Sequence, residues 1–156
     1  MGLGVIARDH EGRVLAMQCS TRRHIDTPTK AEMLAVWNAV ILGVQLGVTY
    51  LELEGDAMEV VQGINSMRHC LGRERPILND IKALLQNFNT WKVTHVNMGS
   101  NGAAHSLVRL ALFVGGGSCL VWEFSFVCVG NCKCGTSPSF ELIKIWFNVD
   151  HPFLPH

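Results

Sequence analysis

The hydrophobic and polar positions of this chain alternate in some runs and follow a helical period in others. The first run, GLGVIARDHEGRVLAMQCS, has extended apolar segments on both sides of the turn residues 9–12, which predicts a β-hairpin. The next run, AEMLAVWNAVILGVQLG, predicts an amphipathic helix, and Gly47 suits its C-terminal cap. Its apolar positions are 33, 34, 36, 37, 40, 41 and 44.

Strand and helix patterns then take turns along the chain. Alternation in residues 48–56 and 90–98 predicts two further strands, and amphipathic periods in residues 57–67, 77–88 and 102–114 predict three further helices. The order β-β-α-β-α-α-β-α contains a strand–helix–strand unit, which calls for a parallel pair joined by a right-handed crossover. The pattern therefore predicts a mixed α/β domain.

The character of the sequence changes after residue 113. The segment 114–144 is rich in glycine, cysteine and aromatic residues, carries few charges and has no amphipathic period. We therefore expect one domain over residues 1–113, an irregular insertion or non-homologous tail over residues 114–144, and a separate ending over residues 145–156.

The charge balance and the cysteines limit the setting of the protein. Thirteen basic residues balance thirteen acidic ones, so nucleic acid or an anionic membrane can be attracted only by a local patch. The N-terminus has no signal-peptide layout, which predicts reduced cysteines and a nuclear or cytoplasmic protein that is not secreted. The most apolar stretch, residues 110–130, is interrupted by Gly115–Gly117 and Glu123, so no membrane span is expected.

Two carboxylates stand at places where either a structural or a chemical role is open. Asp56 ends the strand LELEGD just before a helix, where it could cap the helix or hold a ligand at the strand end. Glu32 closes the pattern Thr29-Lys-Ala-Glu, which is also that of a helix capping box. The local sequence leaves both alternatives open.

The runs described above, taken in order over about residues 2–112, resemble the ribonuclease H type 1 superfamily. They are most similar to the reverse-transcriptase-like ribonuclease H domains that are abundant in plant genomes. The resemblance implies a ribonuclease H-like mixed sheet with helices on both faces. It also implies endonucleolytic, metal-dependent hydrolysis of the RNA strand of RNA–DNA hybrids, with Mg²⁺ as cofactor and Mn²⁺ as a possible substitute.

The resemblance also assigns roles to individual positions. Glu32 and Asp56 match two of the family's four acidic metal ligands, and His105 stands where the fourth acid is found. Since Mg²⁺ prefers oxygen ligands, histidine there weakens a second metal site. The positions expected to contact nucleic acid are Arg68, Arg73, Arg75 and Asn101.

The first of the four acids is not found in its usual place, because this chain begins after the strand that carries it. We therefore expect the central strand of the sheet to be missing from the order of elements. Either the tail segment IKIWFNVD, ending at Asp150, takes that place, or IWFNVDHPFLPH is the family's usual C-terminal ending. The second alternative is favoured because it needs no permuted strand.

The incomplete acid set predicts weak or lost ribonuclease activity in this chain. The alternatives are a non-catalytic module that binds RNA–DNA hybrid or double-stranded RNA, and a transposon-derived fragment. A monomer is expected in each case.

Overall fold

The structure is a computed structural model that describes residues 1–22, 24–66, 72–97, 106, 109, 118–122, 125–128 and 142–150. Its helices are α1 (Pro28–Gln45), α2 (Met58–Asn65) and α3 (Arg75–Leu85), with a short 3₁₀ helix at Gly72–Glu74. Its strands are β1 (Gly2–Arg8), β2 (Val14–Thr21), β3 (Tyr50–Gly55), β4 (Thr90–His95), β5 (Ser118–Trp122), β6 (Ser125–Cys128) and β7 (Leu142–Asp150).

The predicted hairpin is confirmed as the antiparallel pair β1–β2. Asp9 organises its turn, because one carboxylate oxygen accepts hydrogen bonds from the backbone N–H groups of Glu11 and Arg13, each at 2.9 Å. The other oxygen accepts from Arg13 Nε at 2.7 Å. Gly12 has a φ of +81°, a conformation that only glycine adopts without strain.

The strands form one mixed sheet in the order β4-β3-β7-β1-β2-β5-β6. Strand β7 lies between β3 and β1 and is the central strand of the five β4-β3-β7-β1-β2. It is parallel to β3 and antiparallel to β1. The mixed α/β class is therefore confirmed, but the expectation of a missing central strand is corrected. The segment that ends at Asp150 fills that place. Residues 145–150, which the favoured interpretation assigned to a family C-terminal ending, form part of β7.

The physical reason is that β7 supplies apolar side chains to the core and pairs with the edges of β1 and β3. Its alternate residues Ile143, Ile145, Phe147 and Val149 are buried in the core that α1 covers. Without β7, the facing edges of β1 and β3 would leave unpaired backbone N–H and C=O groups inside the domain. A strand taken from the far end of the chain satisfies them.

The opposite face of β7 carries polar contacts that fix its register. Lys144 Nζ lies 3.2 Å from Glu52 Oε2 and 3.6 Å from Glu54 Oε1, both on β3. On the other side, the Arg8 guanidinium lies 5.3 Å from the centre of the Trp146 ring, at a distance that allows a cation–π contact. The ion pairs to β3 and the cation–π contact to β1 favour this register over one slipped by a residue.

The predicted helices are present, but the buried side of α1 differs from the predicted apolar positions, because Trp37 and Val44 are exposed. Helix α1 buries one side against β1 and β7, and its core residues include Met33, Val36 and Leu42. Helix α3 is joined to the end of α2 by Lys82 Nζ, which donates to the Ser66 carbonyl at 2.7 Å. It begins at Arg75, two residues before the predicted start.

The last predicted helix, residues 102–114, lies outside the described residues except for Ser106 and Arg109, which are both helical and exposed. No helix in the described ranges is long and apolar enough to cross a membrane.

Candidate active site

Asp56 directly follows β3, and its position answers the question that the sequence left open. The N-cap of α2 is Ala57, which makes no side-chain capping bond, so Asp56 does not cap the helix. The Oδ1 atom of Asp56 is buried and accepts no hydrogen bond from the part of the chain that the structure describes. Burying a carboxylate oxygen without a hydrogen-bond donor costs free energy unless a positively charged group pairs with it.

Glu32 is the fifth residue of α1 and is buried, with 9 % of its surface exposed. The N-cap of this helix is Thr27, whose Oγ1 accepts from Lys30 N at 3.2 Å. The capping-box alternative, with Thr29 as N-cap and Glu32 three residues later, is therefore excluded. Helix capping therefore does not explain the burial of Glu32.

Two threonine–glutamate hydrogen bonds tie the start of α1 to its neighbours. Thr29 Oγ1 donates to Glu59 Oε2 at 3.3 Å, which joins the first turns of α1 and α2. Glu32 lies one turn after Thr29, and Asp56 lies three residues before Glu59. This bond therefore brings together the two segments that carry the predicted acids.

The second of these bonds brings basic residues to the same place. Thr27 Oγ1 donates to Glu74 Oε1 at 3.1 Å, which links the α1 N-terminus to the 3₁₀ helix before α3. Arg73 and Arg75 flank Glu74 in the chain, and both are exposed. Two of the predicted nucleic-acid contacts thus lie beside the turn that leads to Glu32.

Three other predicted site residues, Arg68, Asn101 and His105, lie outside the described residues. His95 ends β4 and pairs in register with Gly55. It is half-buried beside the strand end that leads to Asp56.

Sequence reasoning left one acidic residue out of the site. Because β7 is parallel to β3, with Trp146 opposite Glu54, both strands end at the same edge of the sheet. Asp150 is the last residue of β7 and pairs in register with Gly2. The segment IKIWFNVD has the pattern of a strand that ends in aspartate. Only the position of this strand in the sheet shows that Asp150 lies near the site. Asp150 therefore joins Asp56 at the carboxyl edge of the parallel pair.

The donor chemistry at this edge suits a hard divalent cation. Carboxylate oxygens are the ligands that Mg²⁺ takes in proteins, and the unsatisfied Asp56 Oδ1 is the kind of group that such a cation would pair with. Among the side chains that the structure describes, no three of His, Cys, Asp or Glu gather closely enough to hold a metal on their own. The two described acids fit a site that needs oxygen from elsewhere, such as substrate phosphate and water.

The neighbouring carboxylate Glu52 has a different role. Its burial acts to raise its pKa, but hydrogen bonds from Lys144 and Lys92 and the charges of both lysines outweigh this and hold the pKa below its ordinary value. Lys92 Nζ lies 3.2 Å from Glu52 Oε1. Glu52 is therefore a paired structural ion, in contrast to Asp56.

Comparison with known proteins gives consistent results. A family model described as reverse transcriptase-like matches residues 1–111. No curated protein sequence matches the chain significantly.

Two solved structures share the fold. Ribonuclease H1 from the halophilic archaeon Halobacterium salinarum NRC-1 superposes with a TM-score of 0.64 at 24% identity, covering 73% of this chain and 86% of its own. The N-terminal ribonuclease H domain of a Mycobacterium tuberculosis protein, solved as a fusion with maltose-binding protein, gives 0.54 at 16%, covering 72% and 92%. With this fold and a family match over most of its length, the chain belongs to the reverse transcriptase-like family of ribonuclease H-like proteins.

Proposed function

We propose that this chain hydrolyses the RNA strand of RNA–DNA hybrids with Mg²⁺ as cofactor and Mn²⁺ as a substitute. The observation that carries the proposal is the buried Oδ1 of Asp56 at the carboxyl edge of β3, which has no hydrogen-bond donor within the described ranges. The family to which the chain belongs supports the reaction class, and the solved structures that share the fold are named as ribonucleases H. Glu32 and Asp150 complete the proposed acidic edge.

The placement of Asp150 changes the expectation for activity. The sequence alone retains two of the family's acids, whereas the central position of β7 adds a third acidic residue at the same edge. When bound, divalent metal supplies an activated water and stabilises the leaving oxygen of a phosphodiester. Glu32 and Asp56 would hold the cation. With His105 at the fourth position, we expect slow but measurable cleavage.

The two exposed arginines beside the site suit the substrate backbone. Arg73 and Arg75 lie next to the Thr27–Glu74 contact at the start of α1, the helix that carries Glu32. Guanidinium groups pair well with phosphate oxygens, and such contacts carry no base specificity. We include Arg68 and Asn101 in this contact surface on the family resemblance. Recognition would therefore follow backbone shape and 2′-OH groups.

The test is cleavage of a labelled RNA–DNA hybrid in Mg²⁺, with RNA duplex and DNA duplex as substrates for comparison. Wild type should cleave only the RNA strand of the hybrid. Asp56→Asn and Glu32→Gln should each reduce the rate at least about a hundredfold, because even a residue that only supports a metal ligand contributes about 10–100-fold. Matched controls are Asp80→Asn at an exposed position of α3 and Glu11→Gln in the hairpin turn, which should keep the wild-type rate. Cleavage that survives both site substitutions would refute the proposal.

A non-catalytic hybrid-binding module is the second candidate, favoured by the exposed Arg73 and Arg75, which flank the residue that Thr27 binds at the start of α1. It predicts binding that does not depend on Mg²⁺ and that weakens with salt. Arg73→Gln should reduce affinity and the salt slope. Arg13→Gln should not, because the hairpin turn lies at the opposite end of β1 from Asp150. Full-strength binding by a wild-type protein that cleaves no hybrid would favour this candidate over the first.

A further inference from the structure

Three cysteines occupy one row across the outer half of the sheet. Strand register places Cys19 of β2 opposite Cys119 of β5, and Cys119 opposite Cys128 of β6. Both pairs of strands are antiparallel, and Cys19 is buried. The row contains three of the six cysteines in the chain. This row lies outside the acidic edge and takes no part in the proposed hydrolysis.

The spacing of directly opposed residues fits a disulfide. In an antiparallel pair, opposed Cα atoms lie about 5.5 Å apart at hydrogen-bonded positions and about 4.5 Å apart at the others. Both values fall within the range of about 4.4–6.8 Å that disulfides span. Cys19 and Cys128 are two strands apart, about 9–10 Å, which exceeds that range. Cys119 can therefore join either neighbour, and the outer two cannot join each other.

The backbone geometry also makes the two neighbours of Cys119 unequal. In a regular antiparallel sheet the N–H and C=O groups of one residue point toward the same neighbouring strand. Cys119 thus forms a hydrogen-bonded pair on one side and a non-hydrogen-bonded pair on the other. One partner should be preferred over the other.

We infer that this row is a thiol modification site, in which Cys119 forms a cross-strand disulfide with Cys19 or Cys128 when it meets a low-molecular-weight disulfide. One protein thiolate attacks the reagent and releases one reagent thiol, which leaves a mixed disulfide. The neighbouring thiolate then displaces the second reagent thiol. Two protein thiols lose their protons and become one disulfide, and the reagent is reduced to two thiols. The link would attach the outer strand β5 covalently to β2 or to β6.

The test is oxidation of the native full-length chain with oxidised glutathione, followed by alkylation and peptide mapping by mass spectrometry. We expect a linkage from Cys119 to Cys19 or Cys128, enriched over the same reaction in urea, where register is lost. Cys119→Ser should remove every linkage within the row, whereas the control Cys132→Ser should leave it intact.

Two results would overturn the inference. One is a Cys19–Cys128 linkage, which the register forbids. The other is a native chain in which Cys119 links to row members no more often than in urea. The comparison between native and urea-treated wild type needs no variant, so it stands even where Cys119→Ser fails to fold. Dithiothreitol should reverse the linkage and restore the thiol count.

Discussion

The ring of Phe147 occupies the space beside Gly55 that a Cβ atom would need. Phe147 is fully buried on β7, and Gly55 is the last residue of β3, directly before Asp56. The close approach of ring and backbone shows that the central strand is fitted to β3 at the very edge that carries the proposed ligand. Packing and site are therefore coupled at this point.

Gly55→Ala should destabilise the fold because its methyl group would overlap the Phe147 ring. Overpacking of this kind costs about 1–3 kcal/mol, which should appear as a lower urea midpoint in chemical denaturation. Phe147→Leu creates space at the cost of lost burial, and the double variant should show a favourable coupling between the two sites. A double variant whose loss equals the sum of the single losses would show that the two residues do not meet.

The ion pairs of Glu52 should make stability depend on pH in the acid range. Burial raises the pKa of Glu52, but Lys144 and Lys92 lower it by more than burial raises it. The pKa in the folded protein is therefore below the ordinary 4.5. A carboxyl with a depressed pKa stabilises the fold fully above its unfolded value, and this contribution is lost as the pH falls through the folded value. We expect Glu52→Gln to cost about 1–2 kcal/mol at pH 7, the range for a charge-assisted hydrogen bond to partly exposed lysines.

The measurement is urea denaturation from pH 7 down to pH 3 for wild type and Glu52→Gln. The difference between them should shrink below about pH 4.5, where the wild-type carboxyl takes up its proton. Asp9 also has a lowered pKa: burial raises it, and its bonds to Arg13 lower it more. Both proteins share that group, so the difference isolates Glu52. A gap that stays constant down to pH 3 would contradict the role given to the lysines.

Divalent metal should stabilise the folded chain through Asp56. A ligand at ten times its dissociation constant adds about 1.4 kcal/mol to the free energy of unfolding, which corresponds to a few degrees in the melting temperature of a domain of this size. Asp56→Asn should lose this Mg²⁺-dependent shift and should be no less stable than wild type without metal, because it neutralises a carboxylate whose buried Oδ1 has no donor among the described residues. Asp80→Asn should keep the shift. A full shift in Asp56→Asn would place the cation elsewhere.

Local pattern was sufficient for the hairpin, for α1 and for the β3–α2 unit, since each follows from period and turn residues that are neighbours in sequence. The caps were harder to predict. Thr27 and Thr29 are both good N-cap residues, and Pro28 suits the first helical position, so the start of α1 was shifted by two residues in the capping-box interpretation.

The place of β7 could not be predicted from local pattern, because the position of a strand within a sheet depends on partners far away in sequence. The alternation of buried Ile143, Ile145 and Phe147 with Lys144 and Trp146 indicated a strand. The unfilled space between β1 and β3 was the stronger signal. Unpaired backbone groups at two inner edges cost free energy, so a strand from another part of the chain must fill the space between them. This cost outweighs the preference for the family's order of elements.

The central position of β7 is the claim on which the acidic edge, the Glu52 ion pairs and the Phe147 packing all depend. Native-state hydrogen exchange followed by mass spectrometry tests it most directly. Amides of residues 143–149 should exchange in the same slow class as those of residues 3–7 and 51–55, because all three segments are hydrogen-bonded inside one sheet. Exchange of residues 143–149 at the rate of an unfolded chain, with 3–7 and 51–55 still protected, would contradict the account.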